Sequence, residues 1–181
     1  MIRPPWLEPG IIMKLLDAGA LGIICPMVNT RADAEAFVGA CNYVPDGYRS
    51  SGPIRAGMIY GSDYFNQSNK MIVTLAMVET EEALSNVSEI AATPGLTGLY
   101  IGPSDLSISL GHTPGLDRTE PEMLEAIDKI LAAAKAAGIK AGIHCLENSY
   151  AKNMLARGFD LVTLTNDVRL LSSAISGVVK D

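Results

Sequence analysis

Glu79 and Asp105 each follow a short apolar run, Met71–Val78 (MIVTLAMV) and Leu96–Ile101 (LTGLYI). If the runs are neighbouring parallel strands, both carboxylates sit at one mouth, with strands about 4.8 Å apart. Two such carboxylates can converge on one ion, and oxygen ligands completed by water suit Mg²⁺ or Mn²⁺. Each also has a plainer reading. A carboxylate after a strand often caps the next helix, and Asp105 fits that role equally well. At Glu79 the neighbouring Thr80 is the better cap and leaves the glutamate spare. Asp105 lies in Gly102-Pro103-Ser104-Asp105-Leu106-Ser107. This glycine-led segment opens a short helical turn, whose free N–H groups could hold a carboxylate or simply close a tight turn.

Three further positions bear on chemistry. Arg3 ends a partial apolar run in Arg3-Pro4-Pro5-Trp6, where a cation could meet a developing oxyanion or stand idle near a chain start. Asp17 closes a helical pattern, and an acid there opposes the helix dipole, so it needs a partner. A structural hydrogen bond is its plain role. His144 ends the run Ile139–Ile143 and is placed to face the mouth, whereas His112 follows Gly111 in a loop and reads as surface. The two share no metal-ligand spacing. The sequence has no G-x-S-x-G elbow, P-loop or dinucleotide fingerprint.

The elements that must position these groups alternate. Apolar runs at Leu21–Met27, Met71–Val78, Leu96–Ile101, Ile139–Ile143 and Asp160–Thr165 read as strands buried on both faces, with Ile2–Arg3 the tail of a sixth. Helical periodicity fills Pro9–Ala18, Ala32–Cys41, Glu81–Ala92, Pro121–Ala137, Asn148–Arg157 and Asp167–Val179. Thr80 caps the third of these, Thr119-Glu120-Pro121-Glu122 has the form of a capping box, and Gly138 and Gly158 are stops. Residues 42–70 form an elaborated loop with a short helix around Tyr64–Lys70. Strictly alternating β and α elements mean a parallel sheet with helices outside, either an open doubly wound sheet or a closed barrel.

Composition narrows the class. The 181 residues carry no low-complexity tract and are 48% hydrophobic, which suits one ordered domain, 1–181. Net charge is −6 and the nearest basic pair is Arg49 and Arg55, so a nucleic-acid stripe is absent. No apolar run reaches a membrane-spanning length, and the given sequence shows no cationic start leading into an apolar segment, so no signal peptide is expected. Cys25, Cys41 and Cys145 are odd in number with no C-x-x-C pair, which fits a reducing cytoplasm.

Four segments together carry a resemblance: LLDAGALGIICPMVNT (15–30), SGPIRA (51–56), AMVETEEALSNVSEIAATPGLTGLYIGPSDLSISLG (76–111) and ARGFDLVTLTNDVRLL (156–171). The chain resembles the HpcH/HpaI aldolase/citrate lyase family, and within it the metal-dependent pyruvate aldolases. The resemblance implies a TIM-type (β/α)₈ barrel. Such a barrel has about 250 residues, so the resemblance also implies that about 70, roughly the first two β/α units, are lacking here. It implies a divalent metal ion (Mg²⁺, Mn²⁺ or Co²⁺) on Glu79 and Asp105. The N–H groups of Ser104 and Asp105, with Gly102, would hold the pyruvate carboxylate, and Arg3 would stabilise the enolate oxygen. Asp17 matches an acid that orients a catalytic histidine on an earlier strand, and that histidine is absent from this sequence. Met77 stands where the family has a substrate-side glutamine, and a thioether cannot replace that hydrogen bond.

The activity so implied is reversible cleavage of a 4-hydroxy-2-oxo acid to pyruvate and an aldehyde, by a homo-oligomer, trimer or hexamer, with exchanged C-terminal helices. Two alternatives accompany it: a non-catalytic fragment or remnant of the family, and a citrate-lyase-type acyl-CoA lyase. The loops offer few of the basic residues that CoA requires.

Overall fold

The computed structural model describes residues 1–179. Its elements run α1 (Pro9–Asp17), β1 (Gly22–Cys25), α2 (Arg31–Cys41), α3 (Arg55–Tyr60), α4 (Tyr64–Met71), β2 (Val73–Val78), α5 (Glu81–Ser85), α6 (Val87–Ala91), β3 (Gly98–Ile101), α7 (Pro103–Ser109), α8 (Pro121–Ala136), β4 (Lys140–Cys145), α9 (Asn148–Arg157), β5 (Leu161–Leu164) and α10 (Asp167–Val178). All five apolar runs are strands. Ile2 contributes a single parallel bridge to Ile23 rather than a strand, because Pro4 and Pro5 cannot extend the ladder.

Strand order decides between the two architectures left open by the sequence. The sheet runs β1-β2-β3-β4-β5, and every pair is parallel. A doubly wound sheet reverses its order at a switch point, and this one never does. The strands form a curled arc of a TIM-type α/β barrel, with the helices on its convex side.

Side-chain parity sets the two faces of the arc. On β2, Thr74, Ala76 and Val78 share the outward parity. Ala76 and Val78 join the main core with Ile23, Cys25, Leu99, Ile101 and Ile143 from other strands and Phe37, Ile127 and Ile130 from α2 and α8, and the buried Thr74 hydroxyl donates to the Gly95 carbonyl at 3.0 Å. Leu75 and Met77 point inward and pack with Tyr100, Ile24, Val73 and Leu161. The register pairs Met77 with Tyr100 and Tyr100 with Gly142. A Cβ at Gly142 would come within 2.8 Å of the Tyr100 ring, so the glycine makes room for it.

Local chemistry explains the helix ends. Thr30 and Asp33 form a reciprocal capping box on α2, and the Thr80 hydroxyl accepts the Ala83 N–H at 3.0 Å to start α5. The helix expected over Glu81–Ala92 is broken into α5 and α6 at Asn86, whose side chain donates to the Asn29 carbonyl at 3.0 Å. The capping box expected at Thr119 does not form. Glu120 is the cap residue, Pro121 the first helical residue, and the Glu120 carboxylate instead accepts the Thr119 N–H. The loop over 42–70 contains α3 as well as the expected α4, and its buried Arg49 lies over the Tyr43 ring at 4.6 Å.

Phe37 is fully buried between α2 and the sheet. Phe37→Ala is expected to cost about 3–5 kcal/mol, because the close-packed surroundings cannot collapse onto the void. Urea unfolding followed by circular dichroism would show this as a lower midpoint at an unchanged m-value.

Candidate active site

Inward parity continues past the strand ends and gathers one set of residues at the mouth. On β2 the inward series Val73, Leu75, Met77 continues to Glu79. On β3 it runs from Gly98 through Tyr100 to Gly102, on β4 from Gly142 to His144, and on β5 from Leu161 through Thr163 to Thr165. A cleft of about 860 Å³ opens here, lined among others by Arg3, Met77, Gly102, Ser104, Asp105 and His144. The arc therefore brings together all but one of the expected site residues, with Glu79 in the wall beneath.

Glu79 is 1% exposed. Its Oε1 accepts the Met27 N–H at 2.8 Å, while its Oε2 is buried with no hydrogen-bond partner. Met27 reaches it through a left-handed backbone, φ 56°, at the end of β1. Burial pushes the carboxyl up from its ordinary range, the Met27 N–H pulls it back, Asp105 raises it further and Arg3 lowers it. The two carboxylates and the arginine therefore share one electrostatic field. A Cβ at Gly102 would fall 2.5 Å from Glu79 Oε2 and 2.8 Å from Met77 Cε, so only glycine leaves the carboxylate its position.

Asp105 does not cap a helix. Gly102 is the cap residue of α7, and Asp105 stands in its first turn, exposed, with no hydrogen bond to its carboxylate among the described residues. Pro103 has no N–H, and the first intrahelical bond is Leu106 N–H to Gly102 O at 3.1 Å. The N–H groups of Ser104 and Asp105 precede it and face no helical acceptor. Glu79 and Asp105 are thus the carboxylates that could hold a divalent cation. The unpartnered Oε2 is a buried polar atom that a cation would satisfy, and two protein oxygens leave positions for water and substrate.

Asp17 is the exception. It lies outside the cleft, and its Oδ1 accepts the Ala56 N–H at 3.1 Å, tying the end of α1 to the start of α3. Its sequence partner is met by this structural bond. Tyr100 and Thr163 were not singled out in the sequence. The Tyr100 hydroxyl bonds the Thr163 hydroxyl, which bonds His144 Nδ1 at 2.8 Å. Inward parity on β3 and β5 was the available signal. Burial, and after it the Arg169 charge, holds His144 below its usual range. His112 pairs with Glu122 at 2.9 Å, away from the cleft. Cys25 lies beneath the mouth, but burial and Glu79 push its thiol up to about 12, which removes it as a nucleophile.

Comparisons with known proteins identify the family and the fold. The family model described as HpcH/HpaI aldolase/citrate lyase matches residues 1–174. The chain is 48% identical over 180 residues to a hydroxypyruvate/pyruvate aldolase of Rhizorhabdus wittichii, covering 99% of this chain and 72% of that protein. It is 36% identical over 176 residues to a 5-keto-4-deoxy-D-glucarate aldolase of Shigella dysenteriae, covering 96% of this chain and 68% of that protein. Among solved structures, an HpcH/HpaI aldolase/citrate lyase family protein from Burkholderia cenocepacia superposes with a TM-score of 0.87 at 32% identity, over 98% of this chain and 71% of that one. The matched residues take in every strand and the whole mouth, and the chain belongs to the HpcH/HpaI aldolase/citrate lyase family.

Proposed function

We propose that the chain is a metal-dependent aldolase that cleaves a 4-hydroxy-2-oxo acid reversibly to pyruvate and an aldehyde. The observation that carries this reading is the buried Glu79 carboxylate with its unpartnered Oε2 beside Asp105 at the barrel mouth. Relatives named as aldolases at 48% and 36% identity support it.

The residues divide the work by charge. Glu79 and Asp105 would hold the divalent ion, Mg²⁺, Mn²⁺ or Co²⁺, which when bound supplies Lewis-acid polarisation of the 2-oxo group. The N–H groups of Ser104 and Asp105, with Gly102 allowing close approach, take the pyruvate carboxylate. Arg3, at the edge of the cleft, presents a cation to the oxygen that gains charge as the C3–C4 bond breaks. Met77 packs against this site as an apolar wall and offers no hydrogen bond, so orientation of the 2-oxo acid rests on the backbone and on Arg3. Asp17 acts at a distance from the chemistry, holding α3 against α1. The apolar residues of α10, among them Val168, Leu171 and Ile175, are exposed, and this supports assembly as a homo-oligomer, trimer or hexamer.

Exchange of pyruvate methyl protons into D₂O tests the enolisation step without an aldehyde. NMR is expected to show exchange that depends on Mg²⁺, Mn²⁺ or Co²⁺ and is lost in Glu79→Gln. A folded protein showing no metal-dependent exchange would overturn the reading.

The same substitution has an opposite effect on the metal-free fold. Glu79 is raised in the folded state, so its ionised form burdens stability once pH rises above the ordinary carboxylate range, and at neutral pH that burden is present. In EDTA at pH 7, Glu79→Gln is therefore expected to melt no lower than the unaltered protein, and a lower melting temperature would contradict this.

Gly102→Ala should displace the carboxylate. Mn²⁺ affinity measured by electron paramagnetic resonance is expected to fall at least about tenfold, since one displaced ligand is worth at least the 1.4 kcal/mol that a factor of ten represents.

A further inference from the structure

The cleft does not end at His144. A side lobe of about 460 Å³ continues from it, sharing Ser104, Leu116, His144 and Asn166 and adding Leu146 and Arg169 as walls. Ser104, which lies where the pyruvate part sits in the proposed reaction, lines both the cleft and the lobe, whereas Arg169 lines the lobe and not the main cleft.

Arg169 is the formally charged side chain among the described residues that line the lobe. Arg169 stands in the first turn of α10 with no acidic partner among the described residues. Its backbone N–H is used by the Asn166 cap at 2.9 Å, so the helix start is fixed independently of the side chain. Of the nearby acids, Asp117 spends both oxygens on the N–H groups of Leu146 and Glu147, at 2.8 and 2.7 Å, Asp167 lines the main cleft rather than the lobe, and Glu147 lines an adjoining surface hollow with Arg169 without forming an ion pair with it. His144 lines the lobe as well, and the run Tyr100–Thr163–His144 engages its Nδ1 while its Nε2 has no hydrogen-bond partner among the described residues.

We propose that this lobe receives the aldehyde-derived half of the substrate and that Arg169 binds an anionic group on it, beside His144. The proposal rests on the aldolase reading. It makes Arg169 a specificity-determining residue, outside the metal and pyruvate positions. A guanidinium paired with a carboxylate or a phosphate is the shared chemistry.

The test is aldol addition of pyruvate with Mn²⁺ present, comparing succinic semialdehyde with butanal and glyceraldehyde 3-phosphate with glyceraldehyde. The readout is the ratio of kcat/KM for the anionic aldehyde to that for its neutral counterpart. In Arg169→Gln the ratio for at least one pair is expected to fall about tenfold, as befits a charge-assisted hydrogen bond partly open to solvent, and Arg169→Lys should recover part of the loss. A fall in the first pair identifies a carboxylate, and a fall in the second a phosphate. If both ratios stay unchanged while the unaltered protein exchanges pyruvate protons, the lobe proposal is overturned and the aldolase reading stands. If the unaltered protein exchanges no protons, both fall.

Discussion

The buried carboxylate of Glu79 is the constraint around which the mouth of this arc is arranged. Taking a carboxylate out of water is costly unless its oxygens find partners. One oxygen finds the Met27 N–H, and the other finds nothing in the protein. The surroundings are shaped to keep that second oxygen open. Gly102 has no Cβ to fill the space, Thr80 takes over the capping duty that would otherwise turn the glutamate outward, and Asp105 is left without a structural bond. The Thr80 cap serves the fold, but Gly102 and the unbonded Asp105 do nothing for its stability when empty, and together they suit the cation of the proposed function.

Strand order and parity do the positioning. Because each strand pairs with its neighbour in sequence, residues at equal heights on successive strands become neighbours around the mouth. Because parity is strict, Met77, Tyr100, Gly142 and Leu161 form one inward layer, and Glu79, Gly102, His144 and Thr163 lie just above it. A one-residue slip in β2 would exchange Glu79 for Thr80 and put the carboxylate among the helices. The outward core of Phe37, Ile127, Ile130 and their neighbours holds that register, since a slip would expose Thr74, Ala76 and Val78 at the same time. The chemistry and the packing therefore depend on the same alternation.

Most of this arrangement was legible in the sequence. Five continuous apolar runs separated by helical periods gave the strands, and carboxylates placed just past two of them gave Glu79 and Asp105. The barrel-or-sheet choice was not legible from periodicity, because both architectures bury their strands on both faces; pairing order decided it. Short-range signals were less dependable where a distant group competes. Asn86 left its helix to donate to Asn29, and Glu120 displaced Thr119 as a cap because Pro121 fixes where the helix begins. Asp17 showed its need for a partner in the sequence, but only the fold supplied Ala56 as that partner. Helix α3 was hidden because its residues form a single exposed turn and a half with one buried side chain, Ala56, too little apolar pattern to register.

Backbone strain is placed at the same mouth. Only two non-glycine residues among those described have a left-handed backbone, Met27 at φ 56° and Thr165 at φ 48°. They follow β1 and β5, the two outermost strands of the arc. Such a conformation costs about 1–3 kcal/mol for a residue with a side chain. At Met27 that cost turns an N–H toward Glu79 and fixes which carboxylate oxygen is spent and which remains open. At Thr165 it lets the N–H close onto the Cys145 carbonyl at 3.0 Å and leads the chain directly into the Asn166 cap of α10, which sets Arg169 in the side lobe. The two strained residues thus bracket the mouth. One orients the buried Glu79 carboxylate, and the other orients the start of the helix that carries Arg169, so the cost is concentrated where fixed direction matters most.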